Sequence, residues 1–231
     1  MKKLMYLSIF FALVICNSCT KKNTNSEEKE LVKNGISQPM NELMLAGELA
    51  KYGYAKNSPL ALAQAAEMIN ASQARALDST VTKEGEKKEN VGEKVSKVKL
   101  DIATLLADAI SLAGDDVKLI AVIEDVKQSV ATASRGRYEG PGTGVRRVSA
   151  GSYVSDIITF DGLALAEVAI IGDGDTDLDL FVYDENGNLI GSDLDYTDDC
   201  YVSWIPKRTG NFLVKVINRG KVYNDYTLVT N

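Results

Sequence analysis

Residues 172–190 read GDGDTDLDLFVYDENGNLI. Leu178, Leu180 and Val182 alternate with Asp177, Asp179 and Phe181. That two-residue period is the mark of a strand with one buried face. Asn186-Gly187 then offers two positive-φ positions, the requirement of a two-residue hairpin turn. Leu189 and Ile190 open the returning strand. The stretch therefore predicts antiparallel sheet, entered through four acids at alternate positions: Asp173, Asp175, Asp177 and Asp179.

Outward from this stretch the same period persists over the last 88 residues. Strands are expected at 145–150, 155–160, 164–171, 177–183, 189–192, 200–205, 211–217 and 223–229. Gly, Pro, Asn or Asp separates most of them, and eight short strands at this spacing predict an all-β sandwich. Pro206 should end the strand carrying Trp204 and Ile205.

Upstream the period changes to that of helices. Met40, Leu43, Met44, Gly47 and Ala50 share one face. Ser58-Pro59 signals a second helix start, with Ser58 as cap and Pro59 in the first turn, and Leu60, Ala63, Ala66 and Met68 or Ile69 pointing inward. A third helix spans 100–113 and stops at Gly114. A fourth is capped by Asp115, with Val117, Ile120, Ile123, Val126 and Val130 on its apolar side. Between the two pairs, 79–98 is charged and glycine-bearing and reads as an exposed or disordered loop. The fold class is therefore α+β with two domains, a small antiparallel helical bundle at 38–135 and a sandwich at 145–231. The Gly/Pro run 136–144 is the boundary.

The succession Ala150-Gly151, Phe160, Gly172-Asp173, Asp177 to Leu180, Tyr183-Asp184, Asn186-Gly187, Trp204-Ile205-Pro206, Thr209-Gly210, Val214 to Val216 and Asn224 to Leu228 resembles the bacterial pre-peptidase C-terminal domain. That resemblance covers a little over a third of the chain. It implies a jelly-roll-like sandwich of the kind found beside secreted peptidases and in other extracellular bacterial proteins. It further implies calcium binding in some members, and relatives that bind collagen or polysaccharide. The helical part resembles no such family.

The N-terminus carries a different signal. Met1-Lys2-Lys3 is basic, and 4–15 is apolar but too short to span a bilayer. Ser18-Cys19 followed by Thr20-Lys21-Lys22 resembles a bacterial lipoprotein signal. On this reading 1–18 is a signal peptide, Cys19 is acylated, and 19–37 is a flexible tether. Acyl chains on Cys19 would hold the protein stably at a membrane surface, the outer membrane being the expected one, facing the periplasm or the exterior.

Composition narrows function further. The chain has no histidine, which removes the usual general base and the commonest transition-metal ligand. From Gly144 onward there are 14 acids against 7 Lys or Arg, a balance that argues against nucleic acid. Cys200 should be a free, buried thiol. The series Asp173, Asp175, Asp177 and Asp179 offers the oxygen ligands that Ca²⁺ takes, or is a solvated acidic strand that keeps the sheet soluble. Asp193, Asp195, Asp198 and Asp199 carry the same pair of readings. Tyr153, Tyr183, Tyr196, Tyr201, Tyr223 and Tyr226 either cover the core or rim a contact surface for a sugar or partner. The leading expectation is a membrane-anchored, non-enzymatic envelope protein whose sandwich binds or stabilises. An envelope protein or polysaccharide is its partner. The alternatives are calcium-dependent adhesion or matrix and glycan binding, and a glycan hydrolase using a pair of those aspartates.

Overall fold

The computed structural model describes residues 35–133 and 140–231, apart from 88, 95 and 97. The signal peptide, Cys19, most of the tether and residues 136–139 of the linker lie outside these. The elements run α1 (Gln38–Lys56), α2 (Pro59–Ala71), β1 (Arg75–Ala76), β2 (Thr80–Glu84), α3 (Ile102–Ala113), α4 (Val117–Ala133), β3 (Gly142–Val148), β4 (Tyr153–Phe160), β5 (Ala166–Ile171), β6 (Leu178–Tyr183), β7 (Leu189–Asp193), β8 (Asp199–Trp204), β9 (Gly210–Asn218) and β10 (Asn224–Thr230). Among the described residues four helices, with β1 and β2 between the pairs, precede eight strands that make up the rest of a β-sandwich, as the change of period predicts. Two five-stranded sheets form it, in the orders β1-β3-β10-β5-β8 and β2-β4-β9-β6-β7.

The inward positions of the strands make the sandwich core. Val168 and Ile170 of β5, Leu178, Leu180 and Val182 of β6, Val214 and Val216 of β9, and Tyr226 and Leu228 of β10 all belong to it. Phe160, Trp204 and Phe212 close one end, with ring centroids 4.8 and 5.9 Å from Phe160 in edge-to-face contact. Cys200 is free and buried, and its thiol points at the Leu178 carbonyl, 3.1 Å away.

The helices form a second core around Leu62, Leu105, Ala109 and Ile123. Ser58 caps α2 as expected, accepting from the Ala61 N–H. Its buried face is Ala61, Leu62, Ala63, Ala65 and Ala66, whereas Leu60 is exposed. Asp116 rather than Asp115 caps α4, its carboxylate accepting from the Lys118 and Leu119 N–H groups.

A third, smaller cluster joins the parts. Met40 and Leu43 of α1 pack on Ala169 and Ile171 of β5 and Val229 of β10. Gly47 lies so close to the sheet that a Cβ would sit 2.4 Å from Ile171 Cγ2. The molecule is therefore layered: helices, first sheet, second sheet.

Two expectations change. The charged segment 79–98 is not wholly a loop, since β2 pairs antiparallel with β4, and β1, just ahead of it, pairs parallel with β3. The segment between the helix pairs thus gives each sheet an edge strand. The 184–188 hairpin is not a two-residue turn either. The Asp184 N–H bonds the Asn188 carbonyl, and Gly187 alone takes a positive φ, +80°. Asp184 Oδ1 accepts from the Asn186 and Asn188 N–H groups and shapes a three-residue loop.

Candidate functional site

The two outward sheet faces differ. That of the first sheet lies under the helices. Its register aligns Tyr201, Ala169, Val229 and Thr143 in one row, and Asp199, Ile171, Thr227 and Val145 in the next. Glu167, one step along β5, is fully buried, and its Oε1 accepts from the Ser37 N–H at 2.7 Å, at the start of α1. The Tyr201 hydroxyl lies 2.6 Å from the same oxygen and 2.5 Å from the Gly35 carbonyl. A carboxylate at a helix N-terminus is favoured by the helix dipole, so this cluster pins the chain entry to the sheet.

The outward face of the second sheet carries no such layer, and it is not polar. Register across β4, β9 and β6 aligns Ile157, Leu213 and Tyr183 in one row. Ser155, Lys215 and Phe181 form the next, and Tyr153, Ile217 and Asp179 the third. An antiparallel sheet with one solvated face ordinarily turns polar residues outward. Here Ile157 is 37% exposed, and Tyr153, Phe181, Tyr183, Leu213 and Ile217 are half-buried on an open surface. The Phe181 and Tyr183 rings are nearly parallel, 14° apart, with centroids 6.2 Å apart. Lys215 Nζ sits 4.4 Å from the Tyr153 ring centroid.

This face holds a groove of about 560 Å³, whose walls include Ile157, Tyr183, Asp184, Asn211, Leu213 and Lys215. A second hollow of about 350 Å³ shares Asp184, Glu185, Asn211 and Phe212 with it and continues to Trp204, Ile205, Lys207 and Arg208. Both volumes fall in the range of ligand sites. Asn211 Oδ1 accepts from Thr159, and its amide nitrogen has no partner among the described residues.

The four aspartates of the opening stretch divide into two pairs. Asp173 and Asp175 turn toward the helical part and share Lys94, which pairs with Asp173 and lies 2.9 Å from Asp175. The Ser96 N–H reaches both Asp175 oxygens at 2.9 Å, and Asp173 is 2% exposed. Burial raises the Asp173 carboxyl, and Lys94 partly offsets that. Burial pulls the other way on Lys94 itself, yet its two carboxylates hold the ammonium above its ordinary value. Asp177 and Asp179 go to the second sheet. Asp179 pairs with Arg219 at 2.5 Å, and the Asp177 carbonyl accepts the Arg219 N–H. Burial and the neighbouring Asp179 raise Asp177. The Arg219 guanidinium thus serves Asp179 alone, while Asp177 Oδ1 is buried with no hydrogen-bond partner among the described residues.

The second acidic patch is also divided. Lys51 of α1 bonds Asp198 at 3.0 Å and Asp199 at 2.6 Å. Asp198 also accepts from the Gly174 N–H and Asn224 Nδ2. Burial, with Glu48 adjacent, pushes Asp199 up to about 6. Asp193 accepts from the Tyr201 N–H, and Asp195 from Thr197. Among the described residues no three carboxylates converge as a cation site. Lys94 bridges Asp173 and Asp175, and Lys51 bridges Asp198 and Asp199.

Between α1, α3 and the Gly172–Asp175 loop runs a cleft of about 720 Å³, bounded by Lys51, Tyr54, Asp108 and Asp173. Its polar walls are largely bonded to one another. Tyr54 Oη donates to Asp108 at 2.7 Å, for instance. The outward groove on the second sheet is the better candidate site. Tyr183 is the part of it that the sequence names. Ile157, Leu213 and Lys215 are brought there only by register.

No family model matches the chain, and no curated protein matches it. Among solved structures, a mitogen from Yersinia pseudotuberculosis is 14% identical, over 40% of this chain and 85% of that one, with a TM-score of 0.31. The xylanase 10B of Clostridium thermocellum, comprising carbohydrate-binding and catalytic modules in complex with xylohexaose, is also 14% identical. That match covers 38% of this chain and 24% of that one, with a TM-score of 0.25.

Proposed function

We propose that this chain is a lipid-anchored, non-catalytic protein of the bacterial cell envelope whose sandwich binds a partner through the outward face of its second sheet. One observation carries the reading: of two outward sheet faces, the helices cover one, and the other stays open while presenting Ile157, Phe181, Tyr183 and Leu213. Leaving such a surface in water forgoes the stabilisation that covering it provides. A binding face explains why it is uncovered.

The anchor rests on the Ser18-Cys19 signal and on a placement. Residues 35–37 meet the first sheet at Glu167 and Tyr201, the side of the sandwich away from the groove. A tether from Cys19 would thus leave the second sheet free to face its partner. Among the described residues no helix is long and apolar enough to cross a membrane. The residues that resemble the pre-peptidase C-terminal domain fall on the sandwich strands and their turns, which supports an extracytoplasmic role of that type.

Two measurements test the proposal. Labelling cells with an alkynyl fatty acid should mark the wild-type chain and leave Cys19→Ser unmarked. A photo-crosslinking residue at position 213 should capture an envelope component, whereas the same residue at position 122 on α4 should not. Capture at 122 alone would overturn the assignment of the face.

A further inference from the structure

We infer that the open sheet face takes a linear, uncharged polysaccharide, an inference that rests on the binding role proposed above. The Tyr183 ring lines the groove and offers aromatic surface to the C–H face of a sugar ring, with the near-parallel Phe181 ring, two residues back on β6, next to it outside the hollow. Beside them stand groups that exchange hydrogen bonds with hydroxyls: the unpartnered amide of Asn211, the carboxylate of Asp184 and the ammonium of Lys215. Aromatic surface interleaved with both donors and acceptors matches a polyhydroxylated ligand better than a purely apolar one.

Charge argues in the same direction. Asp184 and Glu185 are interspersed along the groove with Lys215, Lys207 and Arg208, and Arg208 pairs with Glu185. A polyanion or polycation would meet repulsion at some point along this path. A neutral chain meets none. The two hollows share four residues and run from Lys215 past Asn211 to the Trp204–Arg208 loop, so the site suits a polymer rather than a single sugar. A peptide adding as a strand would need an exposed edge. The groove instead crosses β9 and β6, which are interior strands of their sheet.

The test is affinity electrophoresis of the full mature chain through gels containing hydroxyethylcellulose, xylan or mixed-linkage β-glucan, with peptide-free peptidoglycan strands as the anionic comparison, retardation by which alone would overturn the inference. Retardation by at least one neutral polymer is expected. Tyr183→Ala should weaken it on the order of tenfold, and Tyr183→Phe should retain it. Asn211→Ala, at an exposed position, should weaken it too and serves if Tyr183→Ala does not fold. Retardation that survives both Tyr183→Ala and Asn211→Ala would place the sugar elsewhere and overturn the inference. So would retardation by no polymer. If no polymer retards the chain while position 213 still captures an envelope protein, the polysaccharide falls and the binding face stands. If neither occurs, both fall.

Discussion

At the scale of single residues, the contacts between the helices and the sandwich are polar and individually testable. Glu167 is buried with Ser37 and Tyr201 at one oxygen. Glu167→Ala strands a buried N–H and a hydroxyl, and should cost about 2–3 kcal/mol in urea unfolding. Lys94→Met leaves Asp173 and Asp175 without their cation. It should cost about 2–4 kcal/mol, part of which Asp173→Asn in the same chain restores. Asp199 titrates at about 6 in the folded protein, above the roughly 3.9 of an unfolded aspartate. The folded state holds this proton more tightly. The group's contribution to stability is therefore complete below about pH 4 and is lost as pH rises through 6. Relative to Asp199→Asn, the wild-type chain should gain on the order of 1 kcal/mol on going from pH 7 to pH 5. Equal pH dependence in the two proteins would contradict the burial assigned to this carboxyl.

At the scale of elements, what sequence could reveal depended on whether a segment buries a face. The eight strands of the last 88 residues were legible to within three residues at each end, and seven of them, all but β7, place residues in the sandwich core. The four helices were legible for the same reason. β1 and β2 were not, because every residue in them is exposed. Backbone pairing alone holds them, and it leaves no pattern in side chains. The groove was illegible for another reason. Ile157, Tyr183 and Leu213 come from three separate strands, and only the pairing register makes them neighbours. The division of the aspartate series was illegible because Lys94, which pairs with Asp173 and Asp175, lies some 80 residues upstream. Helix propensity would likewise mislead at Gly47. Alanine in a helix interior ordinarily gains about 1 kcal/mol over glycine. Here its methyl group meets Ile171 Cγ2, so Gly47→Ala should destabilise by about 1–3 kcal/mol. In an Ile171→Ala background the same change should become stabilising, which a double-mutant cycle will read directly.

At the scale of the whole molecule, the helical part and the sandwich depend on each other. The sandwich without residues 35–133 would expose Ala169, Ile171 and Val229, bare the carboxylate of Glu167, and lose an edge strand from each sheet. Residues 140–231 expressed alone should therefore unfold at lower urea concentration than the whole chain, or aggregate. The division of labour follows from this layering: the helices serve one sheet face by covering it, and the other is left for a partner. Hydroxyl-radical footprinting of the protein, first purified and then in intact envelopes, tests that division most directly. Phe181, Tyr183 and Leu213 should lose reactivity in the envelope while Tyr52 on α1 and Tyr196 keep theirs. Unchanged oxidation of these three residues of the open face, with protection at Tyr52 instead, would contradict it.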